Sequence, residues 1–135
     1  MKVGFYEIGE IDDSLLKFAV IATRYHDKWV YCKHKLRETW EVPGGRREQD
    51  EDISDTAKRE LFEETGAKEF SISPVCIYSV NDESFGMLFF AEVTEFGELP
   101  ESEIESIEFF RDIPSNLTYP LIQPKLIDKV KEVVS

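Results

Sequence analysis

Glu60, Glu63 and Glu64 lie at i, i+3 and i+4 within residues 52–65, a stretch that contains neither proline nor glycine. On a helix, that spacing crowds three carboxylates onto one face. Like charges so placed destabilise a bare helix by a few tenths of a kcal/mol per pair. At about 100° per residue, Ile53, Ala57, Glu60 and Glu64 fall in one narrow sector. Two of the glutamates therefore interrupt a stripe that also carries apolar residues. Anions clustered at the edge of a buried face need a compensating cation, and hard oxygen donors suit Mg²⁺ or Mn²⁺. For three glutamates alone, a solvated charged face is the commoner arrangement. Their surroundings shift the balance.

The elements that must position these residues are readable from pattern. Asp52 is placed to cap the helix, with Asp55 three residues on in a shortened capping box, and Gly66 stops it. Upstream, Val3–Ile8 reads as a strand, and Lys17–Thr23 and Lys28–Lys33 as a hairpin around Arg24–Asp27. Trp40–Val42 is a short apolar run ended by Pro43-Gly44-Gly45, a turn signal. Downstream, Ser71–Val80 and Phe85–Val93 are two more strands joined through residues 81–84. Glu95–Glu105 reads as an acidic loop and Ile107–Arg111 as a short strand. A last helix over Leu121–Val134 gathers Leu126, Ile127, Val130, Val133 and Val134 on one face. Strands divided by a central helix, with a second helix at the end, predict an α/β sandwich.

Composition sets the limits. The chain has 135 residues, the size of a single domain over residues 1–135. With 10 Phe, 5 Tyr and 2 Trp it is too aromatic for a disordered chain. Its 16 basic and 28 acidic residues leave a net charge of −12, which argues against a nucleic-acid polymer or an anionic membrane as partner. An anionic ligand would need a cation between itself and this protein. Cys32 and Cys76 lie in apolar segments without zinc-like spacing, as in a reduced, intracellular protein. No apolar run approaches the roughly 20 residues of a membrane helix, and the N-terminus lacks a signal-peptide pattern. A soluble, cytoplasmic chain is expected.

The residues around the glutamates form a long constrained pattern. Gly45 is followed by five residues, Glu51, seven residues, then Arg59-Glu60-Leu61, one residue, Glu63-Glu64, one residue and Gly66-Ala67. This resembles the Nudix box, the signature of the Nudix hydrolase family, and every charged position of it is matched. Trp40–Gly45 is similar to the strand and turn that lead into that family's loop. Two positions depart: Asp50 stands where the family usually has glycine, and Ala67 where it usually has a bulkier aliphatic. The resemblance implies a Nudix-type α/β/α sandwich with a mixed sheet and a central catalytic loop and helix. It implies divalent metal held by Glu60, Glu63 and Glu64 with the Gly45 carbonyl, and Arg59 paired with Glu51 to hold the carboxylate face in place. The implied activity is Mg²⁺- or Mn²⁺-dependent hydrolysis of a pyrophosphate bond in a small nucleotide, by a monomer or homodimer. Glu60 and Glu63 are candidates for the proton-transferring carboxylate, and Glu98, Glu101, Glu103 or Glu105 could supply one from outside the box.

The length and the Lys33–Gly45 lead-in look most like members that cleave nucleoside triphosphates, including oxidised purines such as 8-oxo-dGTP. The alternatives are a dinucleotide polyphosphate or nucleotide-sugar hydrolase, and a non-catalytic nucleotide-binding module of the same fold. Arg24, Lys33, Lys35 and Arg37 are split between phosphate contacts and ordinary solubilising roles. Trp29 and Trp40 fit packing better than base stacking. His26 and His34 are too far in sequence from other ligand types to suggest a metal site.

Overall fold

A computed structural model describes residues 1–134. In chain order it has β1 (Val3–Tyr6), β2 (Leu16–Tyr25), β3 (Lys28–His34), β4 (Gly44–Arg46), α1 (Ile53–Thr65), β5 (Ala67–Val80), β6 (Ser84–Phe96), β7 (Ile104–Phe110) and α2 (Gln123–Val134). The strands form one mixed sheet in the order β1-β5-β6-β2-β3-β7, with β4 paired to β2 off that path. The β2–β6 pair is parallel, and the other pairs are antiparallel.

Strand alternation sends side chains to two cores, one on each face of the sheet. Ala19, Ile21, Ile77, Met87 and Phe89 pack with Ile53, Ala57 and Leu61 of α1. Ala22, Cys76, Tyr78 and Leu88 pack with Leu126, Ile127 and Val130 of α2. The helices therefore cover opposite faces, giving the α/β/α layering that was expected.

Several boundaries differ from the sequence reading. Pro43-Gly44-Gly45 does not turn the chain: Gly44–Arg46 is β4, with Ala19 opposite Gly45 and Val20 opposite Gly44. A Cβ on Gly44 would press on the Ala19 carbonyl, and one on Gly45 would collide with the Glu60 carboxylate. Glycine is needed here for close approach of backbone and side chain, which has the same sequence signature as a turn. β5 begins at Ala67, directly after the helix stop, and β6 runs on to Phe96. The acidic loop is thus confined to residues 97–103, and β7 starts at Ile104. Trp29 is buried, and the half-buried Trp40 rests on Phe110, so both tryptophans pack.

The α1 ends follow the predicted chemistry in part. Asp52 caps the helix by accepting from the Ser54 N–H at 3.2 Å, and Gly66 ends it at φ 75°. The Asp55 carboxylate does not reach back to close a capping box; it is one methylene short of glutamate. Thr56 takes the nearby role, donating its hydroxyl to Glu51 at 2.7 Å.

Candidate active site

β4 and the later turns of α1 meet beside β2, and their side chains form a polar shelf. Its organiser is Arg59. The Arg59 guanidinium donates through Nε and Nη2 to the two Glu51 oxygens at 2.8 and 3.0 Å. It donates through Nη1 to Glu60 at 2.7 Å and Glu63 at 3.0 Å, and through Nη2 to the Arg46 carbonyl at 3.0 Å. A planar fork suits this bidentate grip, which a lysine could not reproduce. The same contacts hold the Glu51 carboxyl down at about 2, chiefly through the bond to Arg59, and push Arg59 well above its usual value.

Glu64 is anchored separately: its Oε1 accepts from the Gly44 N–H at 2.9 Å. Burial pushes its carboxyl up to about 8 despite that bond, with Glu60 and Glu41 adding to the shift. Burial likewise raises Glu60 to about 7, opposed by Arg59 and reinforced by Glu63. Two of the three helix glutamates are therefore held toward neutrality, chiefly by burial and then by neighbouring carboxylates. Among the described residues no three acidic, histidine or cysteine side chains form a ready-made metal cage. Arg59 draws Glu60 and Glu63 to one side, while the Gly44 amide holds Glu64 on the other. The donor set, carboxylates beside an exposed backbone carbonyl edge, nonetheless has the chemistry of a hard-cation site.

Three residues not foreseen as neighbours join the shelf. The buried Glu41 carboxylate receives His34 Nε2 at 2.8 Å and Arg37 at 3.0 Å. His34 Nε2 also stands 4.0 Å from Glu64, and its Nδ1 is 3.7 Å from Glu103. His34 is distant in sequence from other ligand types, but β3 carries it beside α1. Cys32 lies under Glu41 and Glu64, and its thiol is pushed well above its usual value by burial first and those carboxylates second.

The remaining candidates separate. Arg24 pairs with Glu92 at 2.8 Å and Lys33 with Glu105 at 3.2 Å, so both are committed to structural partners. Of the acidic loop only Glu103 nears the shelf, through His34; Glu98 and Glu101 are exposed. Asp50, flagged as a departure, adopts φ 64°, the left-handed conformation that glycine takes without strain.

The chain belongs to the NUDIX domain family, whose model matches residues 15–114. Its fold is that of the Bacillus subtilis pyrophosphohydrolase BsRppH, with TM-score 0.80 and 21% identity over 98% of this chain and 91% of that one. It also matches a UDP-X diphosphatase at TM-score 0.72 and 18% identity, over 95% of this chain and 68% of the other. A 39-residue segment is 56% identical to the human nucleoside diphosphate-linked moiety X motif 6 and 58% identical to the mouse protein of that name. That segment is 29% of this chain and 12% of those relatives. No helix is long and apolar enough to cross a membrane among the described residues.

Proposed function

We propose that residues 1–135 act as one unit, a divalent-metal-dependent pyrophosphohydrolase that splits nucleoside triphosphates into the monophosphate and pyrophosphate. The observation that carries this is the shelf itself: Glu60 and Glu64 are desolvated, crowded by other carboxylates and turned toward the Gly44–Gly45 backbone. A protein that keeps such a cluster gives up stability for it, and a cation with a polyphosphate accounts for both the charge and the location.

Glu60, Glu63, Glu64 and the Gly45 carbonyl are the groups we assign to hold Mg²⁺ or Mn²⁺. The bound cation would offset phosphate charge and lower the pKa of a coordinated water. Arg59, fixed by Glu51, orients Glu60 and Glu63. The Gly44 N–H fixes Glu64. Glu60 and Glu63 are the carboxylates we assign to accept the proton of the attacking water. The BsRppH and UDP-X diphosphatase folds support hydrolysis of a phosphoanhydride without selecting among triphosphates, dinucleotides and nucleotide sugars.

The test is a panel of these three nucleotide classes with Mg²⁺, resolving pyrophosphate from phosphate. Pyrophosphate with a nucleoside monophosphate is the expected product pair. Cleavage of dinucleotides or nucleotide sugars alone would move the substrate class, and tight binding without turnover of any would leave a binding module.

A further inference from the structure

A cleft of about 390 Å³ opens beside the shelf, between the α2 face of the sheet and the start of α2. One end reaches Glu41, Gly44 and Gly45; the walls include Phe18, Tyr78, Tyr119, Ile122, Gln123 and Leu126. The volume is in the range of small-molecule sites. Arg46 lies over the Phe18 ring, 5.2 Å from its centroid, so the rim offers flat surfaces. The Glu41 carboxylate at the inner end is already taken by His34 and Arg37.

Gln123 is the polar group with a fixed sense. It is 7% exposed, and its Oε1 accepts from the Val42 N–H at 2.8 Å. Only the oxygen of an amide can accept from an N–H, so this bond decides which end of the side chain faces which way. Flipping it would set donor against donor and leave a buried backbone N–H unpaired. The Nε2 donates to no protein group, and no fully buried side-chain nitrogen or oxygen lacks a partner among the described residues. The Nε2 hydrogens therefore meet the open cleft. The Ser84 hydroxyl can rotate to give or accept, and Tyr119 is engaged by Arg37; the Gln123 Nε2 can only give.

We infer that the cleft takes a nucleobase through a carbonyl edge, and that Gln123 selects keto bases (guanine, hypoxanthine, uracil) over amino bases (adenine, cytosine). The inference rests on the nucleotide reading above, which places the phosphates on the shelf and directs the rest of the substrate into the cleft. An exocyclic amine opposite Nε2 sets two donors together, whereas a carbonyl completes the bond.

Calorimetric binding of IMP against AMP, and of UMP against CMP, tests this in the presence of Mg²⁺ without requiring turnover. Each pair differs at the keto or amino position. The wild-type protein should bind the keto member about tenfold more tightly or better, the scale of one buried unpaired polar group. Gln123→Glu keeps an oxygen for the Val42 N–H and replaces the NH₂ by a second oxygen, so the ratio should collapse to about one or invert. Gln123→Met, which offers neither donor nor strong acceptor, should also bring it to about one. Equal affinities in the wild type, no measurable binding, or an unchanged ratio in both variants overturns the inference. Pyrophosphate release from ITP and ATP by the same wild-type sample tests the hydrolase reading separately. Preference without turnover removes that reading and leaves the assignment of the cleft standing; turnover without preference does the reverse.

Discussion

The two helices cover opposite faces of one sheet and are built on opposite terms. α2 buries Leu126, Ile127 and Val130 in an unbroken apolar stripe, with Gln123 as its one buried polar side chain. α1 buries Ile53, Ala57 and Leu61, then sets Glu60 and Glu64 along the edge of the same stripe. In α2, burial works for stability. In α1 part of the burial works against it, because desolvation raises two carboxyls toward neutral pH. A helix that accepts such a penalty where apolar residues would fit is marked for chemistry, and a helix that avoids it is marked for packing.

Four measurements test that contrast. The largest effect belongs to the packing helix. Ile127→Ala removes a side chain only 1% exposed and should cost about 2–5 kcal/mol by chemical denaturation. The surviving folded fraction should keep its turnover per molecule, since Ile127 lines neither shelf nor cleft; a specific loss of kcat would place catalytic control in α2. Next is Glu64→Gln, expected to lower turnover about 10²-fold or more, equivalent to about 2.7 kcal/mol of barrier. Its thermal midpoint should hold or rise, because a neutral amide replaces a carboxyl that burial disfavours as an anion. Wild-type turnover at limiting Mg²⁺ would reduce the glutamates to a charged face.

The third is stability against pH. Glu60 and Glu64 have folded-state values raised to about 7 and about 8. The unfolded chain holds its glutamates near the ordinary value of about 4.3. Such groups favour the folded state fully at low pH and lose that contribution as pH climbs from about 4.3 through 7 and 8. Metal-free protein should therefore melt progressively lower across that window, and saturating Mg²⁺ should flatten the slope, since a ligand bound only by the folded state stabilises it. A flat metal-free profile would show that the carboxylates are not strained. The smallest effect is Glu105→Gln, which breaks an exposed pair with Lys33. It should change stability by about 0–1 kcal/mol and leave turnover unaltered.

How much of this was legible depends on how far each contact reaches along the chain. The α1 limits, its caps and the placing of Glu60, Glu63 and Glu64 on one side of it follow from spacing within one helix, and all were readable. The Arg59–Glu51 pair spans eight residues inside the resembling motif and was readable too. His34 beside Glu41 depends on β3 bonding to the Trp40–Glu41 segment, through the Cys32–Glu41 bridge. Nothing in the local pattern of a lone histidine announces that. Gln123 bonds to Val42 across 81 positions, and a polar side chain near a helix start carries no local sign of such a partner. The Gly44-Gly45 pair misled for a different reason. Glycine serves turns and close packing alike, and only the β2 backbone and the Glu60 carboxylate show which use applies.

The parallel pairing of β2 with β6 also bears on when the site comes into being. Arg24 and Glu92, which clasp each other across that pair, are 68 positions apart. The loop and helix that carry every shelf carboxylate except Glu41 are complete by Thr65, but the α1 core still lacks Met87, Phe89 and Ala91. A chain emerging from the ribosome therefore displays its glutamates well before the helix that carries them has its full apolar floor. Pairings of such long range form late and slowly. Until β6 docks, α1 has only part of the apolar surface that seats it on the sheet, and the site it carries is finished by residues made after its own.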